Sequence, residues 1–270
     1  MPRLEARNIS VGYGDKTVLS HLGVEIPDGE FTVIVGPNAC GKSTLLKSLA
    51  RLTTASTGEV LLDGADIRSY PSKQVAREIS LLPQNPIAPD GIVVEDLVSR
   101  GRYPYHTMMR QWSSQDQQAL EWAMERANVA QLKDRPVAAL SGGQRQRVWL
   151  AMVLAQQTPI VLLDEPTTFL DITHQVEVLD LAAGLYEAGS TVVAVLHELT
   201  LAFRYATHVI VMKAGEIVAQ GSVKDVVTAQ LLEEVYEIAC DVIADPRTGK
   251  PIVIPRTSRF RRAAATTPSA

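Results

Sequence analysis

Cysteine is scarce in this sequence of 270 residues, which contains only Cys40 and Cys240. A framework of several disulfides, typical of small secreted proteins, is therefore excluded. The first ten residues, MPRLEARNIS, also lack the apolar stretch of a secretory signal. We therefore expect the chain to reside in the reducing environment of the cytosol.

Long hydrophobic runs and a strong excess of positive charge are absent too. The longest apolar stretches, such as VWLAMVLA, fall well short of the roughly 18 residues that would suggest a bilayer span. Any role at a membrane is therefore expected to depend on a partner. The net charge of −4 provides no overall basic field for phosphates, so nucleic acid is not expected to be a partner.

Aromatic residues make up only 5 % of the chain and apolar residues 46 %, which favours an α/β fold over an all-β one. The runs FTVIV (31–35), PIVLLDEP (159–166) and STVVAVLHE (190–198) are typical of buried parallel strands. A helical pattern over 170–189 separates the last two runs, and strand, helix, strand predicts a parallel sheet. Residues 88–156 are predicted to be mainly helical, with an N-cap serine before DQQALEWAMERANV.

Further strands are expected elsewhere. Residues 1–30 show the pattern of short strands joined by turns. GEVLLDGADI and ISLLPQ, within 58–84, are predicted to be two strands around a polar link.

A glycine-rich stretch, GPNACGKST (36–44), joins the strand FTVIV to a helix-like run. It matches the phosphate-binding pattern G-x-x-x-x-G-K-[ST], in which backbone N–H groups curl around phosphate oxygens at a helix N-terminus. Lys42 would reach the β and γ phosphates, Ser43 would supply a hydroxyl to Mg²⁺, and Thr44 would lie on the α-phosphate side. The alternative is an ordinary glycine-rich turn. The loop residues of this predicted site are Gly36, Pro37, Asn38, Ala39, Cys40 and Gly41.

Two carboxylates, Asp164 and Glu165, end the apolar run PIVLL. Their position at the carboxyl end of a buried strand favours function over a merely solvated pair of charges. Asp164 would hold Mg²⁺ through water, and Glu165 would polarise an attacking water as general base.

The stretch LSGGQRQR (140–147) is required by neither a simple P-loop kinase nor a GTPase. Together with the two motifs above, it makes the chain resemble the nucleotide-binding subunits of ABC transporters from Tyr13 to about residue 230. The resemblance implies an α/β P-loop NTPase core of ABC type, with a parallel sheet, an N-terminal antiparallel β subdomain and an inserted α-helical subdomain. The expected boundaries are 1–240 for the ATP-binding domain, about 88–156 for the helical insertion, and 241–270 for a C-terminal extension.

In that family, two subunits enclose two ATP molecules between them. The resemblance therefore implies ATP and Mg²⁺ as cofactors, and a homodimer in which the signature residues face the ATP of the second copy. A serine and glycine amides ahead of a helix also form a reasonable anion site. The signature residues are Ser141, Gly142, Gly143 and Gln144.

Single positions extend the resemblance. It implies that Tyr13 stacks on adenine, Gln84 reaches Mg²⁺ and the attacking water, Asp171 communicates across the dimer, and His197 contacts the γ-phosphate. Taken alone, Tyr13 fits core or turn packing equally well, and a histidine at a strand end is more often structural. The remaining histidines match no motif: His21, His106, His174 and His208.

Three positions differ from the family pattern, and a cysteine lies in the phosphate-binding loop. Ala39 replaces the usual glycine and would cost on the order of 1 kcal/mol if its φ is positive. Glu198 replaces an aspartate, and TTFLD (167–171) replaces a serine-containing version. Cys40 lies at a helix N-terminus, where the thiolate is favoured, so a reactive thiol is one hypothesis and a small residue that fits is the alternative.

The substrate subgroup is indicated by GPNACGKSTLL, GRYPYH, TTFLDITHQ and DPRTGKPIVIP. These stretches resemble the ATPase subunits of iron(III)-siderophore importers, with haem and cobalamin importers as near relatives. The resemblance implies a peripheral location on the cytoplasmic face of the membrane. It also implies integral membrane permease partners, docked on the segment after Gln84 through about Trp112, and indirectly an extracytoplasmic substrate-binding protein.

ABC ATPases that act outside transport predict other sequence patterns. An ABC ATPase acting as a clamp on DNA or ribosomes would carry either a long coiled coil or two cassettes, and neither pattern is present.

The last stretch, RTSRFRRAAATTPSA, is expected to be disordered because it has little to bury. Its arginines would either be a solvated end or contact anionic lipid.

Overall fold

The computed structural model of the chain describes residues 2–14, 16–106 and 112–256. The expected disorder and lipid contact of the basic tail from residue 257 onward lie outside these residues. Within the described residues, the strands are β1 (Leu4–Tyr13), β2 (Lys16–Ile26), β3 (Phe31–Val35), β4 (Thr57–Leu62), β5 (Ala65–Asp66), β6 (Ile79–Leu82), β7 (Ile160–Asp164), β8 (Thr191–Val195), β9 (His208–Lys213), β10 (Glu216–Ser222), β11 (Cys240–Ala244) and β12 (Pro251–Pro255). The α-helices are α1 (Lys42–Leu49), α2 (Ser72–Glu78), α3 (Val94–Ser99), α4 (Ser114–Arg126), α5 (Gly142–Gln156), α6 (Ile172–Glu187), α7 (Leu199–Tyr205), α8 (Val223–Val226) and α9 (Ala229–Tyr236).

The central sheet has six strands in the order β10-β9-β3-β8-β7-β6. All of its pairings are parallel except that of β9 with β10. This arrangement confirms the predicted parallel sheet and its three strands. Because β3, β7 and β8 are buried on both faces, they are continuously apolar instead of alternating with polar residues.

The two faces of the central sheet pack into different hydrophobic clusters. Alternate residues of β3 show the division: Val33 and Val35 join the cluster that includes α5 and α6, whereas Ile34 joins the cluster that includes α1 and the N-terminal strands. This is the two-residue period of a strand with both faces covered. The fold is therefore layered, with the sheet between two cores.

A second sheet, antiparallel and four-stranded, has the order β2-β1-β4-β5. The predicted N-terminal strands are longer than expected, with 10 and 11 residues in β1 and β2. The prediction of a simple polar link between β4 and β6 was wrong, because α2 lies between them. Val75 is the only buried residue of α2, so the sequence shows almost no helical periodicity there.

Helices and 3₁₀ turns fill the described part of residues 88–156, as predicted, with the 3₁₀ segments Arg100–Tyr105, Ala130–Leu132 and Val137–Ala139 between the α-helices. The predicted N-cap serine is Ser113, whose hydroxyl accepts from the backbone N–H of Asp116 in a capping box. α5 packs against both α3 and α4. The domain boundaries themselves remain predictions.

The C-terminal segment contains a hairpin that was not predicted. β11 and β12 pair antiparallel from Cys240 opposite Pro255 to Ala244 opposite Pro251. Prolines bound the second strand, and at those positions no ladder donor is available, which concealed the strand in the sequence. Within the described residues, none of the helices combines the length and the apolar character needed to cross a bilayer.

Candidate functional site

The carboxyl ends of β3, β6, β7 and β8 meet at one edge of the central sheet, because these strands are parallel. The glycine-rich loop follows β3, Gln84 follows β6, Glu165 follows β7 and His197 follows β8. Ligands of open parallel sheets bind at this edge. The topology thus brings together four segments that are far apart in the sequence.

The loop after β3 has the tight backbone that its glycines predict. At Gly36, φ is 150° and an added Cβ would lie 2.1 Å from the carbonyl oxygen of Met212. At Gly41, φ is 104° and an added Cβ would lie 2.6 Å from a methyl carbon of Leu19. A side chain at Gly36 would require a shift of the backbone, and one at Gly41 would have to displace the Leu19 side chain from a backbone conformation that favours glycine.

Lys42 begins α1 and is almost completely buried. Its Nζ donates to the carbonyl oxygens of Gly36, at 2.8 Å, and Pro37, at 2.9 Å. The ammonium group therefore lies across the loop and closes it.

A cavity of about 1010 Å³ opens in front of this loop. It is lined by residues from the loop and from the segments that follow β6, β7 and β8, and also by the start of β2. The lining residues are Lys16, Thr17, Val18, Asn38, Ala39, Cys40, Gly41, Lys42, Ser43, Thr44, Gln84, Glu165, Thr167, Thr168, Phe169, Gln175, His197, Glu198, Ala214 and Gly215. The participation of β2 was not foreseen, because its residues match no motif.

Asp164 lies at the end of β7 and is fully buried. Its Oδ1 accepts a hydrogen bond from the Ser43 hydroxyl at 2.7 Å, whereas its Oδ2 has no hydrogen-bond partner and lies 4.0 Å from Lys47 Nζ. Burial raises the pKa of the Asp164 carboxyl, and the Ser43 hydrogen bond and the Lys47 charge only partly oppose this effect. A buried carboxylate oxygen without a partner favours an additional cationic ligand.

Glu165 is surrounded by donors from three segments. His197 Nε2 lies 2.6 Å from Oε1, Gln84 Nε2 donates to Oε2 at 2.6 Å, and the Thr168 hydroxyl donates to Oε2 at 3.1 Å. Burial alone would raise the pKa of Glu165, but the His197 interaction and the other two hydrogen bonds outweigh burial and lower it. Glu165 is therefore an oriented carboxylate at neutral pH.

Four residues other than glycine that line the cavity have left-handed backbone conformations: Ala39 (φ 60°), Glu165 (φ 54°), Phe169 (φ 62°) and Ala214 (φ 51°). Such strain in residues other than glycine occurs where the surrounding structure requires it, often at functional sites. Alanine in place of glycine at position 39 was expected to cost free energy if φ is positive there, and φ is positive.

The predicted signature residues do not line this cavity. Ser141 and Gln144 form a reciprocal capping box at the start of α5, with backbone-to-side-chain hydrogen bonds of 3.2 and 3.3 Å. Gly142 is open, with no atom within 4 Å of an added Cβ, whereas Gly143 is covered by the ring of His174. The start of α5 is thus exposed at Ser141 and Gly142.

Asp171 is the N-cap of α6 and is exposed. Its Oδ1 accepts from the backbone N–H of His174 at 3.0 Å and lies 2.7 Å from His174 Nδ1. The backbone hydrogen bond, followed by the imidazole contact, lowers the pKa of the Asp171 carboxyl. His174 matches no motif in the sequence, so no role was predicted for it. Its spacing of three residues from Asp171 on a helix was the available signal.

Tyr13 is 55 % exposed at the end of β1, opposite Lys16, which lines the cavity. The contact of Tyr13 with adenine stays a prediction. For Cys40, the structure favours the alternative of a small residue that fits over the hypothesis of a reactive thiolate. Burial raises the pKa of the Cys40 thiol, and the nearby Lys42 charge does not compensate.

The class of protein follows from this fold and this edge of the sheet. The sequence matches the ABC transporter family over residues 19–168, so the chain belongs to this family. It is an ATP-binding cassette that hydrolyses ATP. The alternative of a simple P-loop kinase or GTPase is thereby excluded.

Relatives of this chain carry narrower descriptions. The chain is 52 % identical, over 94 % of both sequences, to the ferric enterobactin transport ATP-binding protein FepC of Escherichia coli strain K12. It is 49 % identical to the probable siderophore transport system ATP-binding protein YusV of Bacillus subtilis strain 168, over 94 % of this chain and 93 % of that protein. It is 41 % identical to the hemin import ATP-binding protein HmuV of Rhodococcus jostii strain RHA1, over 94 % of this chain and 86 % of that protein.

Solved structures agree on the fold. An inward-facing putative metal-chelate type ABC transporter gives a TM-score of 0.81 at 24 % identity, covering 96 % of this chain and 100 % of its own. The dimeric structure of a bacterial ABC transporter cassette gives 0.72 at 26 % identity, covering 81 % of this chain and 98 % of its own.

Proposed function

We propose that this chain is the ATPase subunit of an importer for iron(III)-siderophore complexes, acting peripherally on the cytoplasmic face of the cell membrane. The observation that carries the proposal is the 52 % identity to the ferric enterobactin transport protein over 94 % of both chains. Identity to the hemin import protein is lower, at 41 %, so siderophore import is favoured over haem import.

ATP would bind in the cavity, with its phosphates against the loop 36–41 and the start of α1. The glycine backbone, Lys42 and the helix N-terminus all present positive charge to this space. Ser43 and Thr44 follow on α1, and Tyr13 would cover the adenine. The fit of a phosphate loop to this cavity supports the assignment.

Mg²⁺ also fits the residues present. Within the described part of the chain no three His, Cys, Asp or Glu side chains are arranged to hold a metal. Mg²⁺ instead requires few protein ligands beside substrate phosphates, and here Ser43, Gln84 and, through water, Asp164 would hold it. The Oδ2 of Asp164, which has no hydrogen-bond partner and only a 4.0 Å contact with Lys47 Nζ, supports this set. When bound, Mg²⁺ supplies neutralisation of the phosphate charge.

Hydrolysis would use Glu165 as the general base. Its carboxylate is ionised and oriented by Gln84, Thr168 and His197, and Oε1 would be free to take a proton from a water at the γ-phosphate once His197 turns to that phosphate. His197 would donate to the γ-phosphate once nucleotide is bound. The short distances around Glu165 support a preorganised site.

A second copy of the chain would complete the site, with Ser141–Gln144 and Asp171 reaching the partner's ATP. This part of the proposal is supported by the exposed start of α5 and by large apolar side chains next to Asp171. Phe169 is 97 % exposed and Ile172 is 62 % exposed. Apolar surface of this kind is typical of an interface.

The permease would dock on the segment after Gln84. Ile87 is 89 % exposed, Tyr103 is 56 % exposed and Trp112 is 41 % exposed in this part of the chain. Residues 107–111 of the predicted docking segment lie outside the described residues. A substrate-binding protein on the other side of the membrane would deliver the chelate to the permease, and this subunit would not touch it.

Uptake assays test the proposed substrate. Cells lacking this chain would receive the native chain, Lys42→Ala, or the exposed helix variant Lys224→Ala as control, and uptake of labelled ferric siderophore, haem and cobalamin would be measured. We expect Lys42→Ala to abolish ferric siderophore uptake alone. If that uptake persists while another ligand's uptake fails, the substrate assignment is wrong and the ATPase assignment stands.

A further inference from the structure

The proposed dimer brings two segments to the nucleotide of the second copy, the signature start of α5 and the loop at Asp171. Within each copy, one side chain contacts both segments. His174, in the first turn of α6, lies between Gly143 of the signature and Asp171. Neither the signature nor the phosphate loop includes this histidine. Packing within α6 alone does not account for the contact of His174 with Gly143 on α5.

The contact with Gly143 leaves no room for a side chain at that position. An added Cβ on Gly143 would lie 2.4 Å from His174 Cδ2 and 2.9 Å from both Cγ and Nε2. Gly142, the preceding residue, has no such neighbour. The second glycine of the signature is thus the one that admits the imidazole ring.

The contact with Asp171 fixes the other side of the ring. With Nδ1 2.7 Å from the carboxylate, Nδ1 carries the proton and donates it in the hydrogen bond. The same carboxylate oxygen accepts from the backbone N–H of His174. Asp171 and the imidazole therefore orient each other.

The ring contact continues as a seam between α5 and α6. One turn after Gly143, Arg147 Nη1 lies 2.5 Å from Glu177 Oε2, three residues after His174. In addition, Gln146 Nε2 donates to the carbonyl oxygen of Pro166 at 2.8 Å. Spacings of four and three residues place these side chains on the facing sides of the two helices. The seam makes the two segments one unit, with His174 at its exposed end.

We propose that His174 is a positioning residue that locks the signature start of α5 and the Asp171 loop into one rigid surface, which the second copy's nucleotide meets as a whole. The inference rests on the proposed dimer. A preorganised surface loses less conformational entropy on closure, so its loss weakens dimer formation and lowers turnover. The nucleotide site of the same copy is left intact.

Three substitutions separate the two contacts of His174. His174→Ala removes both, His174→Asn keeps an N–H donor near the Nδ1 position, and His174→Phe keeps a ring against Gly143 without the donor. His21→Ala is the matched control, because the Nδ1 of His21 also lies near a side-chain oxygen, 3.0 Å from that of Asn8, but the residue belongs to β2.

The dimer dissociation constant is measured in saturating Mg-ATP by sedimentation, with Glu165→Gln added to each variant to prevent hydrolysis. We expect His174→Ala, His174→Phe and His174→Asn each to raise it about tenfold, because each loses at least one of the two contacts, and His21→Ala to stay within about threefold of the parent. The affinity of the monomer for ATP, measured at protein concentrations below dimerisation, should change by less than about twofold. Without Glu165→Gln, kcat should fall while KM for ATP is maintained.

The outcomes are distinguishable. If the parent does not dimerise in Mg-ATP, the proposed dimer is wrong, and the inference with it. If the parent dimerises and His174→Ala dimerises equally well, the inference alone is overturned. If His174→Ala fails to fold, the Asn and Phe variants decide: native dimerisation by either one would overturn the proposal, because each has lost one of the two contacts.

Discussion

Ala39 stands where the phosphate loop uses a left-handed backbone, with φ of 60°. In that region the Cβ of an L-residue lies too close to its own carbonyl, whereas glycine has no such cost. The side chain of Ala39 lines the cavity but supplies no polar group to it. The loop therefore stores strain at a residue whose backbone, and not its side chain, is needed.

Ala39→Gly should raise the free energy of unfolding by about 1 kcal/mol or less, because relief of strain is partly offset by the greater entropy of glycine in the unfolded chain. Urea denaturation measures the change. Ala50→Gly is the control: Ala50 has φ of −80°, so the substitution should instead destabilise by roughly 0.5–1 kcal/mol. Destabilisation by both substitutions would show that position 39 is not strained.

Glu165→Gln should leave ATP binding intact and lower kcat by about a hundredfold or more, since the amide cannot take a proton from water. The ATP-bound closed dimer should then accumulate. ATPase assays and sedimentation in Mg-ATP measure the two effects. Glu187→Gln, at the exposed end of α6, provides the control and should be indistinguishable from the native chain. Native turnover in Glu165→Gln would remove Glu165 from the role of base.

The 3₁₀ segment Arg100–Tyr105 is attached to the helical region by a buried ion pair. Arg102 and Asp116 are 3 % and 2 % exposed, with Nε and Oδ1 2.9 Å apart. Arg102 Nη1 also donates to the carbonyl oxygen of Ala155 at 2.8 Å, and its guanidinium lies over the Tyr105 ring at 4.0 Å. This element thereby holds the GRYPYH stretch, part of the proposed permease surface, against α5.

Asp116→Ala should cost about 3–5 kcal/mol, because it leaves the Arg102 charge buried without its partner. Arg102→Met combined with Asp116→Leu should recover most of that loss. Thermal and urea unfolding measure both variants. Glu121→Ala, on the exposed side of the same helix, should change stability by no more than about 0.5 kcal/mol. Equal effects of Asp116→Ala and Glu121→Ala would contradict a structural role for the pair.

The same pair predicts a pH dependence. Burial would raise the pKa of Asp116, but hydrogen bonds from Ser113 and Arg102 outweigh it and lower the pKa below its ordinary value of 3.8. A carboxyl with a lowered folded-state pKa stabilises fully above its unfolded pKa. This contribution should therefore be complete at neutral pH and be lost as the pH falls below about 4.

At the scale of the whole molecule, the exposed aromatic Phe169 is the clearest sign of a missing neighbour. It is 97 % exposed and has φ of 62°, so it combines two unfavourable features in a single copy of the chain. In the proposed dimer, this side chain would be buried against the second copy. Burial of a large apolar side chain contributes roughly 1.5–3 kcal/mol.

Phe169→Ser should therefore weaken dimer formation in Mg-ATP by about tenfold, with Glu165→Gln present to prevent hydrolysis. Sedimentation equilibrium gives the dissociation constant. Ile243→Ser is the matched control, since Ile243 is 48 % exposed on the hairpin strand β11 and should not affect the dimer. An unchanged constant for Phe169→Ser would place Phe169 outside the interface.

Features that depend on neighbouring residues in the chain were readable in the sequence. The loop 36–44 requires its glycines, lysine and hydroxyls within nine positions, because one turn of backbone and one helix start build it. The buried strands β3, β7 and β8 were recognised for a similar reason, since burial on both faces demands an unbroken apolar run. These local requirements determined the fold class and the nucleotide chemistry.

Tertiary structure decided the features that join distant segments. Gln84, Glu165 and His197 converge because β6, β7 and β8 are parallel neighbours, and strand order is not written in any one segment. Burial of Cys40 depends on what covers the loop, and it raises the pKa of the thiol, which disfavours the hypothesis of a thiolate. His174 meets Gly143 only because α5 and α6 face each other. Contacts across long sequence separations depend on packing, so a single sequence determined the parts of this site and only the folded chain determined their arrangement.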